Sequence, residues 1–189
     1  NRSREGQHPP RPRGSTETKD HQVANRSKGC VCSLFVHNCN MLTSPDPTRK
    51  PGQLLARGVC RHLLQLDFAC LEEFTPERGK RVDVMGLGPK GEIWVIECKS
   101  SMADFRSDAK WEGYLDWCDR YFWAVDDAFP TEHLPLDTGL FIADHYDAEI
   151  IRMAPEHKLP AARRTALTRR FARNAARRMQ VLQDPTAAF

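Results

Sequence analysis

Two short apolar runs, Val82 to Leu87 and Ile93 to Ile96, flank the segment Leu87-Gly88-Pro89-Lys90-Gly91-Glu92. This arrangement restricts the fold more than any other feature of the chain. Proline favours the first corner of a type I turn, and Gly91 can adopt the left-handed conformation that closes a three-residue hairpin loop. With Pro89-Lys90-Gly91 as the loop, Gly88 faces Glu92, and counting back along both strands sets Asp83 opposite Glu97. Cross-strand neighbours have Cβ atoms roughly 4.5–5.5 Å apart, close enough for two carboxylates to share one cation. A slip of one residue would send the two acids to opposite faces.

Glu97 opens the tripeptide Glu97-Cys98-Lys99 at the end of the second run. Strand side chains alternate, so Glu97 and Lys99 point to one side and Cys98 to the other. Two carboxylates and a lysine at a sheet end can bind Mg²⁺ (or Mn²⁺) and position an attacking water. An acid two residues before a lysine is common text: it recurs at Glu17-Thr18-Lys19, Asp108-Ala109-Lys110 and Glu156-His157-Lys158. Only the strand context singles out Glu97. The plainer alternative is a solvated hairpin with ordinary polar residues.

The chain has 189 residues and 40% hydrophobic content, enough for one domain with a real core and too little for two full ones. No run approaches the roughly 20 apolar residues that cross a membrane, and the first residues carry no apolar signal core. The expectation is a cytoplasmic protein. Cys60, Cys70, Cys98 and Cys118 fall in expected core elements and read as reduced thiols. Charge is segregated. Residues 1–50 carry nine basic and four acidic groups, residues 51–156 eleven and twenty, and residues 157–189 eight and one. An acidic centre between basic ends suits a metal site with polyanion-binding surfaces beside it.

Residues 1–50 lack helix or strand periodicity and read as an unstructured extension, with Met41 as a candidate initiator. Cys30, Cys32, His37 and Cys39 cluster there. Their spacing is tighter than zinc knuckles use, so the cluster reads as incidental. Residues 51–183 read as a single domain. Leu54, Leu55, Val59, Leu63, Leu64 and Leu66 predict a helix over 52–66. Phe68 to Phe74 predicts a strand, Thr75 to Gly79 a turn, and 82–87 and 92–97 the hairpin. A helix is expected from Ser101 or Asp104 to Asp119, then strands at 121–125, 139–143 and near 148–152, and a terminal helix after Pro160. The result is an α/β domain whose sheet mixes antiparallel hairpin pairing with one crossover.

Asp83 on the second strand and Glu97-x-Lys99 on the third, in this order of elements, resemble the PD-(D/E)xK nuclease superfamily. Arg81-Val82-Asp83-Val84, the run Gly91 to Ser101, and Asp104 to Trp111 with Tyr114 and Asp119 resemble the MmcB-like bacterial DNA repair family. The likeness spans about residues 52–180. It implies a restriction-endonuclease-like mixed sheet flanked by helices. It also implies Asp83 and Glu97 as metal carboxylates, Lys99 orienting or activating the hydrolytic water, and Glu73 as a further acid of the site, preferred to Glu72. Val82 stands where the superfamily has proline.

Arg106, Lys110, Tyr114 and Trp117 fall on one face of the expected helix and are candidates to approach nucleic acid; the alternative packs the aromatics on the sheet. Asp104 and Asp108 read as helix-start residues. In the terminal helix, Leu167, Phe171, Ala175 and Met179 are expected to dock, while Arg163, Arg170, Arg173 and Arg177 form a second face that binds phosphates or is simply solvated. The functional expectation is a DNA repair protein, a Mg²⁺-dependent DNA phosphodiesterase with DNA as partner. The alternatives are a non-catalytic DNA-binding or scaffold module and an RNA-processing nuclease. The sequence leaves the oligomeric state open, a homodimer included.

Overall fold

The computed structural model describes residues 48–107 and 111–186. The expectations for residues 1–47, the Cys/His cluster among them, Asp108 and Lys110 lie outside these residues. Helix α1 spans Pro51–Gln65, strand β1 Ala69–Glu77, β2 Lys80–Leu87 and β3 Ile93–Cys98. Helix α2, Met102–Ser107, and a 3-10 segment, Trp111–Trp117, lead to β4, Arg120–Val125. A 3-10 turn at Thr131–His133 precedes β5, Gly139–Ala143; β6, Ala148–Arg152, and α3, Ala161–Gln183, follow.

The six strands form one sheet in the order β1-β2-β3-β4-β5-β6. The pairs β1/β2, β2/β3 and β5/β6 are antiparallel, whereas β3/β4 and β4/β5 are parallel. The sheet is therefore mixed and flanked by helices, as expected, but it holds two parallel connections where the sequence predicted one. The second runs through residues 126–138, which carry too little regular structure to read as a crossover. All six residues of β3 are buried, because its two faces support separate cores. Leu55, Val59 and Leu63 of α1 pack with Trp94, Ile96, Phe122 and Phe141. On the other face Val95, Tyr121, Trp123 and Leu140 meet Leu167 and Phe171 of α3.

Three sequence expectations are corrected. Strand β1 does not end at Phe74 but continues through Pro76 to Glu77, and the turn is Arg78-Gly79, with Gly79 at φ 84°. Pro76 suggests a break, yet β1 is an edge strand, where a missing ladder donor is tolerated. The expected helix to Asp119 is two short pieces, α2 and the 3-10 segment, so Arg106 and Tyr114 do not lie on one continuous helical face. Finally, of the residues expected to dock α3 only Leu167 and Phe171 are buried; Met179 is 59% exposed.

Asp119, one residue before β4, anchors this arrangement. Its carboxylate accepts the amides of Ile93 at 2.7 Å and Leu159 at 3.1 Å and both guanidinium arms of Arg164 at 2.6 Å. Its own amide donates to the Ile93 carbonyl, and the His157 amide donates to the Asp119 carbonyl, both at 2.7 Å. Burial works against the charged carboxylate, but the paired Arg164 donors and the two amides outweigh it and hold the carboxyl below its usual range. Helix α1, in turn, crosses the β5–β6 turn so closely that a Cβ on Gly58 would sit 2.0 Å from the Asp144 carbonyl oxygen.

Two outcomes follow from these contacts. Asp119→Asn should lower stability by about 3 kcal/mol, near the low end for breaking a buried ion pair, since Arg164 keeps some solvent. A depressed native pKa contributes stability above the unfolded value of about 3.9 and loses it as pH falls through the native value. The gap between wild type and variant in urea denaturation should therefore be full at neutral pH and close in acid. Gly58→Ala should destabilise by about 1–3 kcal/mol through overpacking, read as a lower melting temperature.

Candidate functional site

The β2–β3 hairpin adopts the register its turn dictates. The Gly88 amide donates to the Glu92 carbonyl at 2.8 Å, the Gly91 amide to the Gly88 carbonyl at 2.9 Å, and Gly91 sits at φ 81°. Leu87 pairs with Ile93, and the ladder continues to Val84 and Ile96. One step further, the two acids replace the backbone ladder. The Cys98 amide donates to Asp83 Oδ2 at 2.8 Å, and the Asp83 amide donates to Glu97 Oε1 at 3.3 Å. Each carboxylate thus holds the neighbouring strand while keeping further lone pairs for another partner.

Lys99 extends the parallel pairing by donating its amide to the Ala124 carbonyl at 2.8 Å. Its Nζ lies 3.8 Å from Glu97 Oε2 and 5.8 Å from the Trp123 ring centroid. Glu97 and Lys99 are both buried, at 4% and 6% exposure, so this ion pair has little competition from water. Cys98 points the other way, into the α1 core, and burial there pushes its thiol up. Burial also raises the Asp83 carboxyl; the Cys98 amide and Lys99 oppose this, while the charges of Glu73 and Asp104 add to it.

Glu73 stands beside the pair for a structural reason. It takes a left-handed conformation, φ 51°, and there the alternation of faces slips in both strands. Leu71 and Phe74 join one core although three residues apart, as do Val82 and Met85. Left-handed non-glycine residues cost energy and concentrate at functional sites, and such irregularities re-aim side chains. Glu73 bonds Arg81 at 2.7 Å, and Glu72 bonds Arg49 at 3.0 Å. Both glutamates line the same cavity of about 620 Å³ as Asp83, Glu97 and Lys99. The first turn of α1 borders it too: a Cβ on Gly52 would stand 3.7 Å from the Cys98 carbonyl oxygen. The positive end of that helix favours an anion there.

Among the described residues, no group of three or more His, Cys, Asp or Glu side chains is gathered to hold a metal by itself. Two carboxylates on an open cavity fit a different kind of guest. Mg²⁺ keeps several waters and is usually bound by one or two carboxylates plus substrate phosphates.

The other candidates are dispersed. Arg106 is exposed on α2. Tyr114 donates its hydroxyl to the Arg81 carbonyl at 3.1 Å, behind the cavity-lining Arg81. Arg163 bonds the Asp116 carbonyl at 2.6 Å and lies 5.0 Å from the Trp117 ring centroid. Arg170 is engaged with the Thr75 and Pro76 carbonyls. Arg173 and Arg177 instead line a depression with Arg78 and Arg169. Sequence reasoning passed over Arg49 and Arg81, whose role depends on tertiary contacts, and Arg169, which the four-residue spacing Arg169, Arg173, Arg177 could have flagged.

An α/β domain with paired carboxylates and a buried lysine at the end of its central strands is the class that fold and site define. The chain belongs to the family described as DNA repair protein MmcB-like, which matches residues 45–186. This supports a role in DNA repair. A solved structure of a protein of unknown function from Silicibacter pomeroyi is 67% identical, covering 75% of this chain and 97% of that one, with a TM-score of 0.74. No curated protein matches the chain. Among the described residues no helix is long and apolar enough to cross a membrane.

The raised carboxyl of Asp83 gives a signed expectation. A carboxyl raised on folding contributes stability below the unfolded pKa of about 3.9 and loses it as pH rises through the native value. Asp83→Asn keeps an acceptor for the Cys98 amide and removes the charge. With chelator present, the variant should match or exceed wild type in melting temperature at neutral pH. A cation held by this carboxylate would raise the melting temperature of wild type and not of the variant, which added Mn²⁺ tests.

Proposed function

We propose that this chain is a metal-dependent phosphodiesterase acting on DNA, with a site of the PD-(D/E)xK kind. The observation that carries the reading is the hairpin register, which sets Asp83 and Glu97 side by side with Lys99 at 3.8 Å from Glu97. Asp83 and Glu97 would hold Mg²⁺ or Mn²⁺, which supplies charge neutralisation at the scissile phosphate. Lys99, fixed between Glu97 and the Trp123 ring, orients the attacking water and stabilises charge developing on the phosphate. Glu73 and Asp104 deepen the negative field that favours a cation, and the first turn of α1 faces the anionic substrate. Membership in a DNA repair family makes DNA the partner of choice.

The same hydrogen bonds support one other reading. Asp83 and Glu97 close the end of the ladder, a structural duty that a non-catalytic DNA-binding module would also need.

Cleavage of labelled single-stranded, duplex, flapped and branched DNA, with Mg²⁺, Mn²⁺ or EDTA, separates the two. Asp83→Ala and Glu97→Ala should abolish metal-dependent cleavage and Mn²⁺ binding by calorimetry. Lys99→Ala should lower kcat by about 10²–10³-fold, the scale of one lost electrostatic stabiliser, and retain Mn²⁺ binding. Lys99→Arg should rescue poorly, since a planar guanidinium does not replace a compact ammonium. Wild-type cleavage by both acid variants, or no metal-stimulated cleavage of any substrate by wild type, would overturn the enzymatic reading.

A further inference from the structure

Helix α3 contains seven arginines and no acidic residue, and the structure divides those arginines into two groups. Four fasten the helix. Arg164 bonds Asp119 and the Gly91 carbonyl, and Arg163 bonds the Asp116 carbonyl. Arg170 bonds Thr75 and Pro76, and Arg178 donates to the Glu72 carbonyl at 2.7 Å and the Glu73 carbonyl at 3.3 Å. The remaining three, Arg169, Arg173 and Arg177, are exposed and have no hydrogen-bond or ion-pair partner among the described residues. They follow one another at four-residue steps, about 6 Å apart along the axis and on one face.

That face meets a second element. Arg78, exposed in the β1–β2 turn, and Thr75 of β1 close a depression of about 530 Å³ with Arg169, Arg173 and Arg177. The depression adjoins the acid site along the edge strand. Glu72 and Glu73 line the cavity of Asp83 and Glu97, Thr75 lines the arginine depression, and only the buried Phe74 intervenes in sequence. Arg178 ties α3 to the very carbonyls of Glu72 and Glu73, so helix and acid site are held together.

We propose that Arg78, Arg169, Arg173 and Arg177 form a track for the sugar-phosphate backbone of a DNA strand whose scissile phosphate lies over Asp83 and Glu97. The inference rests on the phosphodiesterase reading of that site. Charge complementarity carries it. The cavity is lined by five acidic and three basic side chains, so its net charge is negative and a polyanion gains more from attractors outside it. At physiological ionic strength charges act over about 8 Å, which makes the adjoining arginines, and not the net charge of the chain, the effective attractors. Guanidinium forks match phosphate oxygens. The lining offers no aromatic surface for stacking a base, so contact with backbone, independent of sequence, is what this chemistry provides.

The test is binding by the full chain to a fluorescein-labelled oligonucleotide in EDTA, followed by anisotropy over a salt series. Each lost phosphate contact lowers the log–log salt slope by about 0.7 on single strands and about 0.9 on duplex. Arg169→Gln/Arg173→Gln/Arg177→Gln should therefore reduce the slope by about 2, and adding Arg78→Gln should reduce it again. Arg163→Gln, on a residue used for packing, should leave the slope unchanged. Should the triple variant melt earlier than wild type, the single Arg173→Gln step serves instead. A wild-type slope in the triple variant overturns the track even where Asp83→Ala abolishes cleavage, and leaves that face to solvent or to an acidic protein partner. A reduced slope in a protein that cleaves nothing with Mg²⁺ or Mn²⁺ would keep the arginine surface as a DNA-binding face and remove the catalytic reading beneath it.

Discussion

The carboxylate of Asp119 ties the start of β3, the segment leading into α3 and α3 itself to the residue that opens β4. It caps the start of β3 through Ile93, precedes β4, receives the Leu159 amide and grips α3 through Arg164. A carboxylate filled by charged and backbone donors is a strong, directional junction. It acts at the start of α3, ahead of the hydrophobic contacts of Leu167 and Phe171 and the carbonyl bonds of Arg170 and Arg178 further along the helix. The rotation is thus set from the first turn onward. The distant arginines then arrive at β1 in a definite order. The same residue also settles where β3 begins relative to β4, and so where Glu97 and Lys99 end up beside Trp123 and Ala124.

The acid site departs from the ordinary rules for a sheet. Regular ladder bonds give way to side-chain acceptors, Glu73 takes a left-handed backbone, and the facing alternation slips in two adjacent strands at one level. Each departure alone would weaken a strand pair. Together they crowd anionic oxygen around one opening, where burial first, and then the charges of Glu73 and Asp104, raise the Asp83 carboxyl. The surrounding packing tolerates this because β3 is buried on both faces and the strain sits at its end. A cation with exchangeable waters is the natural complement to such a field, whereas a closed cage of protein ligands is not.

Local chemistry made the hairpin legible in the sequence, and with it the pairing of Asp83 and Glu97. A proline corner and one glycine fix the register, and register fixes which side chains meet. Elements decided by tertiary context were harder to read. Pro76 looked like a break because its tolerance depends on β1 lying at an edge, which only the strand order reveals. The segment after α2 looked α-helical from Arg106, Lys110, Tyr114 and Trp117. Trp111, Tyr114 and Trp117, however, are spaced by three, and a 3-10 turn of three residues aligns them on one side. There Trp111 and Tyr114 reach Tyr121, and Trp117 lies between Lys80 and Arg163. Burying aromatic surface outweighed the poorer hydrogen bonds of the tighter helix.

The arginines of α3 show why charge read from sequence is an incomplete guide. Composition gives them equal weight, but geometry does not. An arginine that donates to a backbone carbonyl of the edge strand satisfies an acceptor there, and its positive charge becomes part of the scaffold. One that faces a shallow depression with no partner keeps its donors for a ligand. Arg170 and Arg178 belong to the first kind, Arg173 and Arg177 to the second, although all four lie within about two and a half helical turns. The fastening arginines also hold the free ones in place, since a helix clamped at Asp119, Thr75 and Glu72 presents its outer face in one orientation. Orientation limits how much a flexible, hydrated cation contributes to binding. On this argument the clamps and the open arginines are one device: the first group spends its charge on order, so that the second can meet a strand of phosphates already aligned.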